Sequence, residues 1–357
     1  MILSEPIEIA NIDAYVSMHH KTRRIKVRFY VSLVVALQVL CQSLALATSY
    51  EQHELFLIKW GSGLEELKIS PPVINGIVSE TTAYEIEPGY GPSDVFVDRQ
   101  ENVIISSYEF RQIKGFDKTG QLIFNFSRNE TQYDPDICRG QPAGLYVDTL
   151  LNLYIVTYPG RPFVPVVRYD GEVVDRLFPY PDTIDVTISS LSWNSFGAIF
   201  IFATFDGYMT YYQGTFTPGG SAGLKANDGN FYGTVIDENT GAYIINKYSN
   251  PDNWGNTQNI TVKEIEVPAD SVYSSKILYG GQGDSLYAEV CFYRENTEMR
   301  GVWVFDLDGN MLTGIDLPPV EGKYDLMISP FVAPDGSIYE FRCQDDGLHV
   351  VKWTKEQ

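Results

Sequence analysis

The sequence predicts an all-β fold, a six-bladed β-propeller of four-stranded antiparallel blades whose ring is closed by an N-terminal strand pairing with the last blade. Three observations predict it. A turn residue followed by an apolar run recurs as NVII, NLYI, GAIF, GAYI, SLYA and SIYE, with third residues Ile104, Tyr154, Ile199, Tyr243, Tyr287 and Tyr339. Their spacings are 50, 45, 44, 44 and 52 residues, the regularity of a repeat architecture. Between the anchors, short runs of Tyr, Ile, Val and Phe alternate with Asn, Gly, Asp and Ser, which suit pleated strands and tight turns. Helical periodicity is absent after residue 47, and turn signals come too often for helices. Four-stranded units at this period pack radially around a channel.

The chain of 357 residues begins with a segment of different character. Residues 1–17 are acidic. Residues 18–47 show five basic residues, an apolar run and a small-x-small ending at Ala45-Leu46-Ala47, the three parts of a secretory signal. Translation is expected to start at Met18 and cleavage to follow Ala47. The rival is an uncleaved anchor over Phe29–Ala47, which Gln38, Gln42 and Ser43 disfavour. Leu40 before Cys41 disfavours a lipoprotein anchor. The expected location is extracytoplasmic, periplasmic or secreted, with membrane contact only if the segment stays uncleaved. Removing residues 1–47, which carry five basic and three acidic side chains, leaves 43 Asp and Glu against 21 Lys and Arg, a net charge near −22. Such a field repels phosphate backbones, and no basic patch offsets it, so nucleic acid is excluded as a partner.

Residues 48–90 are expected to supply the ring-closing strand and an N-terminal arm, and residues 91–357 the six blades. Each unit has a first strand (DVFVD, GLYVD, LSWN, GTVID, KILYG, SPFVAPD), a turn and a Tyr- and Ile-rich second strand. A third strand ends at a second turn (GFDKTG, RYDG, VFDLDG), and the best units close with a fourth: QLIFNF, EVVDRLF, NMLTGIDL. Unit four, around residues 230–267, has the poorest fourth strand. The last unit stops at its third, LHVVKWTKEQ, and leaves an edge to be covered. Either LFLIKWGSGLEELKI (55–69) or TTAYEIEP (81–88) would cover it, the other forming an extra hairpin.

Asp98 and Asp148 recur at matching places, in PSDVFVDRQENVIIS and PAGLYVDTLLNLYIV, because each strand must turn there; this is a structural beat and not paired catalytic carboxylates. Unit one, GPSDVFVDRQENVIISSYEFRQIKGFDKTGQLIFNF, resembles the NHL-type blade of bacterial six-bladed propellers, the NHL/TolB-like type. Units two and five resemble it fairly well and the rest loosely. The resemblance implies the fold of residues 50–357 and an exported bacterial protein; relatives include binding modules, scaffolds and some enzymes, so it implies no activity.

The chemistry of the chain is sparse. After cleavage only His53 and His349 remain, too few for a His-based zinc site or a recognisable Ser-His-Asp triad. Asp306–Asn310, DLDGN, lacks the remaining ligands of a calcium loop and reads as a hairpin turn, as does APDGS at 333–337. Cys138, Cys291 and Cys343 are an odd number, and the last two occupy equivalent strand positions with poor disulfide geometry; buried free thiols are expected. The sequons at Asn125, Asn129 and Asn259 are read as chance. Two long loops, 157–165 and 246–259, join second to third strands and open on one face. They nominate Tyr158, Arg161, Tyr248, Asp252 and Trp254, with Arg294, as a face for stacking and hydrogen bonding with a glycan, peptide or protein. The expected function is a non-catalytic, monomeric binding or scaffolding module without a cofactor. The alternative is a hydrolase or lactonase that holds a divalent cation with Asp, Glu and Asn at the channel mouth.

Overall fold

The computed structural model describes residues 49–356 apart from 70–72, 78–83, 88–90, 108–109, 128–132, 135–136, 138–139, 159–162, 178–187, 194–198, 204–206, 213–214, 219–223, 226–227, 229, 238–239, 241, 249–258, 266–268, 281–284 and 319–327. One turn, used repeatedly, sets the strand lengths. Asp98 accepts the backbone N–H groups of Gln100 and Asn102 on Oδ1, and the Asn102 amide on Oδ2. Asp148 does the same for Leu150 and Asn152, and Asp306 for Asp308 and Asn310. The third residue past the aspartate takes a positive φ, at Glu101, Leu151 and Gly309. The repeated Asp…Asn pair is therefore a hairpin device that satisfies the turn's own donors. In DLDGN the Asp306 carboxylate is engaged by those donors.

Strand β1 (Tyr50–Lys59) is followed by a hairpin of β2 (Val73–Ile77) and β3 (Tyr84–Glu87). Sheet 1 holds β4 (Asp94–Val97), β5 (Val103–Ser107), β6 (Gln112–Phe116) and β7 (Leu122–Ser127). Sheet 2 holds β8 (Gln141–Val147), β9 (Leu153–Tyr158), β10 (Val164–Val167) and β11 (Val173–Leu177). Sheet 3 holds β12 (Ile188–Trp193), β13 (Ile199–Ala203), β14 (Gly207–Tyr212) and β15 (Thr215–Pro218). Sheet 4 holds β16 (Leu224–Lys225), β17 (Phe231–Ile236), β18 (Tyr243–Tyr248) and β19 (Asn259–Ile265). Sheet 5 holds β20 (Ser271–Gly280), β21 (Ser285–Arg294), β22 (Thr297–Asp306) and β23 (Met311–Leu317). Sheet 6 holds β24 (Phe331–Val332), β25 (Ile338–Gln344) and β26 (Gly347–Lys355), with β1 as its outer strand.

The open edge of the last sheet is thus covered by Tyr50–Lys59, which pairs antiparallel with β26 from Tyr50–Lys355 to Lys59–Gly347. The covering strand starts five residues before the segment 55–69 that the sequence offers, and Tyr84–Glu87, within the other candidate segment, pairs in the separate hairpin. After Lys59 the chain leaves the sheet in a tight loop, because Trp60 Nε1 donates to the Gln344 carbonyl and Gly61 N–H to Leu67 O. Lys114, only 1 % exposed, turns its ammonium into that loop and donates to the carbonyls of Gly63, Leu64 and Glu66.

All six anchors named above fall in their strands as expected, Ile104 in β5, Tyr154 in β9, Ile199 in β13, Tyr243 in β18, Tyr287 in β21 and Tyr339 in β25. Sheets pack face to face through alternating apolar residues. Phe96 of sheet 1 meets Tyr146 of sheet 2 edge-on and Phe331 of sheet 6. Val302 and Val304 of sheet 5 share a buried cluster with Val332 and Ile338 of sheet 6. Each such side chain contributes about 1.5–3 kcal/mol of burial. The inner strands stand side by side: β12 by β8, β8 by β4, β4 by β24, β24 by β20, and β20 by both β16 and β17. This is an all-β propeller. Among the described residues no helix is long and apolar enough to cross a membrane.

Sheet 4 departs from the plan. Its Tyr243, first in β18, lies against Trp303 and Phe305 at the Asp306 end of sheet 5, where other sheets start their second strand. So β17 and β18 act as first and second strands, β16 is a two-residue addition on the inner edge, and no outer strand follows β19 among the described residues. The weak fourth strand of this unit in the sequence has that consequence.

Candidate functional site

Antiparallel order gives each sheet two ends. The turns from first to second and from third to fourth strand share one end, and the second-to-third connections share the other. Tyr158, Tyr248 and Arg294 are the last residues of β9, β18 and β21. All three therefore stand at the second-to-third end, the face the sequence nominates. Arg161, Asp252 and Trp254, and the side chains of Tyr158 and Tyr248, lie outside the described residues. Arg294 is not the free positive point expected: it forms an ion pair with Asp316 and lies over the Phe292 ring at 5.0 Å.

Sheet 5 contributes something the sequence reading missed. Its first three strands are ten residues each, against four to seven in sheets 1 and 2, so its edge is long. The β21–β22 hairpin closes with Glu295 and Asn296 at φ 52° and 60°, the two-residue turn that matches strand twist. Beneath it Tyr273 of β20 and Tyr293 of β21 are 45 % and 39 % exposed, with ring centroids 5.3 Å apart and planes tilted by 42°. Tyr273 sits at an irregularity in the β20–β21 register, between Val272 and Ser274, and its hydroxyl donates to Glu298. An alternation rule cannot anticipate a residue at a register shift, which is why inspection of the strand pattern overlooks it.

A second group stands at the start of the innermost strand of sheet 1. Asp94 accepts the Val95 N–H at 3.0 Å and, across to sheet 2, the Leu145 N–H at 2.9 Å. The residue keeps partial solvent exposure, yet protein crowds its carboxylate. Burial pushes its pKa up to about 6, against the two backbone donors and the Lys276 ammonium, which favour the charged form. Lys276, an exposed residue, belongs to sheet 5, two sheets away. Asp94 was read only as the start of a strand; its perturbation arises from neighbours far away in sequence.

Other candidates are structural. His349, in β26, is held between Glu54 and Asp346, each at 2.9 Å. Burial opposes its charging, but the two carboxylates outweigh that and raise its pKa. Cys291 and Cys343 are free thiols, Cys343 buried as expected and Cys291 only half-buried. Burial pushes the Cys343 thiol up to about 12 and raises Cys291 too, so neither is an activated nucleophile. Cys138 lies outside the described residues. Among the described residues no three His, Cys, Asp or Glu side chains converge as a metal site would.

No family model matches the chain, and no curated protein matches it. Among solved structures it is similar to a gluconolactonase from Xanthomonas campestris, at 12% identity and TM-score 0.44, covering 86% of this chain and 100% of that one. A member of the DUF4221 family from Bacteroides vulgatus is similar at 11% identity and TM-score 0.44, covering 86% and 99%. A calcium-binding protein, regucalcin, from Agrobacterium tumefaciens is similar at 12% identity and TM-score 0.42, covering 74% and 91%.

Proposed function

We propose that this chain is an exported binding module, a closed ring of six blades that holds its ligand on the face where second strands end. Six sheets, whose inner strands stand side by side from sheet 3 through sheets 2, 1, 6 and 5 to sheet 4, support the six-bladed ring. The observation that carries the binding reading is the exposed Tyr273–Tyr293 pair on that face. Tyrosines give large, rigid contact area at small entropic cost, and adjacent exposed rings are a docking platform. Glycan and peptide libraries probed with the protein and its Tyr273→Ala/Tyr293→Ala variant test it. Hits lost in the variant support this face, and hits that survive unchanged move the site elsewhere.

Asp94 favours a second reading, a divalent-metal-dependent hydrolase or lactonase at the channel mouth. A carboxylate near neutrality in pKa, on the innermost strand of its sheet, suits proton transfer or cation binding. Metal-stripped protein would then rise by several degrees in Tm with micromolar calcium, magnesium, manganese or zinc, and Asp94→Asn would abolish the rise. A Tm unmoved below millimolar metal removes this reading.

A further inference from the structure

The tyrosine platform has a rim of one sign. Glu298 is the cross-strand partner of Tyr293 and accepts the Tyr273 hydroxyl. Asp270 donates its backbone N–H to the Tyr293 carbonyl and accepts the Glu295 N–H at 2.7 Å, so a second carboxylate braces the same hairpin end. Glu298, Asp270 and Glu295 are all exposed. The two arginines at this end of sheet 5 are already neutralised, Arg294 by Asp316 and Arg300 by Glu289. The whole chain carries a formal net charge of −20.

We infer that the platform receives a basic polypeptide segment, with a lysine or arginine side chain laid over the Tyr273 and Tyr293 rings and its charge facing the Glu298, Asp270 and Glu295 carboxylates. This rests on the binding reading above and specifies its ligand. The ring quadrupole attracts a cation at its face, and the carboxylates beside it add Coulombic attraction instead of competing donors. The acidic field of the molecule steers a basic partner inward and repels an acidic one. A hairpin held by a two-residue turn and by Asp270 presents both rings preorganised, so little ordering is needed on binding. A neutral glycan would stack on the same rings but would leave the charge of the rim without a counterpart.

Calorimetric titration of the purified protein with three probes decides the matter: a dodecapeptide of alternating lysine and glycine, the same peptide with every lysine acetylated, and cellohexaose. The lysine peptide should bind and weaken with added salt, and acetylation should reduce affinity about tenfold or more. Tyr273→Ala/Tyr293→Ala should cost about tenfold, and Glu298→Gln, which keeps the shape and removes the charge, roughly threefold to fivefold. Asp175→Asn, on the exposed outer strand of sheet 2, should leave affinity unchanged. If cellohexaose binds in place of the lysine peptide and the tyrosine variant loses it, the binding face stands and the cationic ligand is refuted. If the lysine peptide binds wild type and tyrosine variant alike, the attraction is diffuse charge and the platform plays no part. If no probe binds, the basic-segment inference falls, and the libraries judge the face independently.

Discussion

Asp94→Asn is the perturbation whose size the structure sets most directly. In the folded chain burial raises the carboxyl from 3.8 to about 6, and the Val95 and Leu145 donors with Lys276 fail to cancel that. Each pKa unit is worth about 1.4 kcal/mol, so full ionisation of Asp94 lowers folding stability by about 3 kcal/mol, less whatever its partial solvent contact screens. The folded pKa lies above the unfolded one, so the protonated form is the one that folding favours. That contribution is complete below the unfolded value near 3.8 and is lost as pH rises through about 6. Asparagine does not titrate, and the hydrogen bond it forfeits gives an offset that pH does not change. Urea unfolding of both proteins at pH 4.5, 5.5, 6.5 and 7.5 should show wild type losing about 1–3 kcal/mol relative to the variant, most steeply between pH 4.5 and 5.5 and levelling off above the folded pKa. Parallel stability curves, or a wild type that gains on the variant as pH rises, would refute the reasoning.

Three further outcomes follow from named contacts. Lys114→Met should destabilise by about 2–4 kcal/mol, since the carbonyls of Gly63, Leu64 and Glu66 lose a buried ammonium, and limited proteolysis should then cut within residues 61–67. Gly347→Ala would place a Cβ 2.3 Å from the Ile58 carbonyl oxygen, so β1 must shift; a loss of about 1–3 kcal/mol and faster amide exchange over residues 57–59 are expected. His349→Asn should cost about 0.2–1 kcal/mol at pH 5.5 and little at pH 9. The raised histidine pKa stabilises fully below its unfolded value near 6.5, and that contribution disappears as pH climbs through the folded pKa. Equal losses at both pH values, measured by urea unfolding, would rule that out.

The repeat was legible because a hairpin turn leaves its mark within five residues: Asp98 and Asn102 serve each other's backbone, and the same pair returns at 148–152 and 306–310. The second-strand anchors were legible for a similar reason: Ile104 and Tyr154 are buried apolar residues two positions past the Asn of such a turn. Lys114 was not. A lysine in the strand QIKGF reads as solvated until a loop fifty residues upstream folds over it. Tyr273 escaped notice because a register irregularity removed it from the alternating pattern, and Asp94 because its raised pKa comes from burial that only the folded chain creates. Tyr158 and Tyr248, read as loop residues, instead end β9 and β18, because the strands run further toward the connections than the turn residues in the sequence suggest.

The two ends of the sheets differ in how completely their polar groups are used, and that difference bears on where a ligand goes. At the turn end, sheets are tied to one another: the Tyr169 hydroxyl of sheet 2 donates to Asp98 of sheet 1 at 2.7 Å. Tyr339 and Lys352 of sheet 6 both donate to Glu101 of sheet 1, and that bonding, with Lys352 foremost, holds the Glu101 carboxyl below its ordinary range. The Gly336 turn of sheet 6 closes on the Tyr287 hydroxyl of sheet 5, where even a Cβ would come within 2.9 Å. A face whose carboxylates and hydroxyls are spent on neighbouring sheets resists change and offers little to a partner. At the opposite end Tyr273, Tyr293, Glu298, Asp270 and Glu295 keep open surface on a hairpin that its own turn makes rigid. Stability concentrated on one face frees the other to vary, and exposed groups on a rigid edge are what recognition requires.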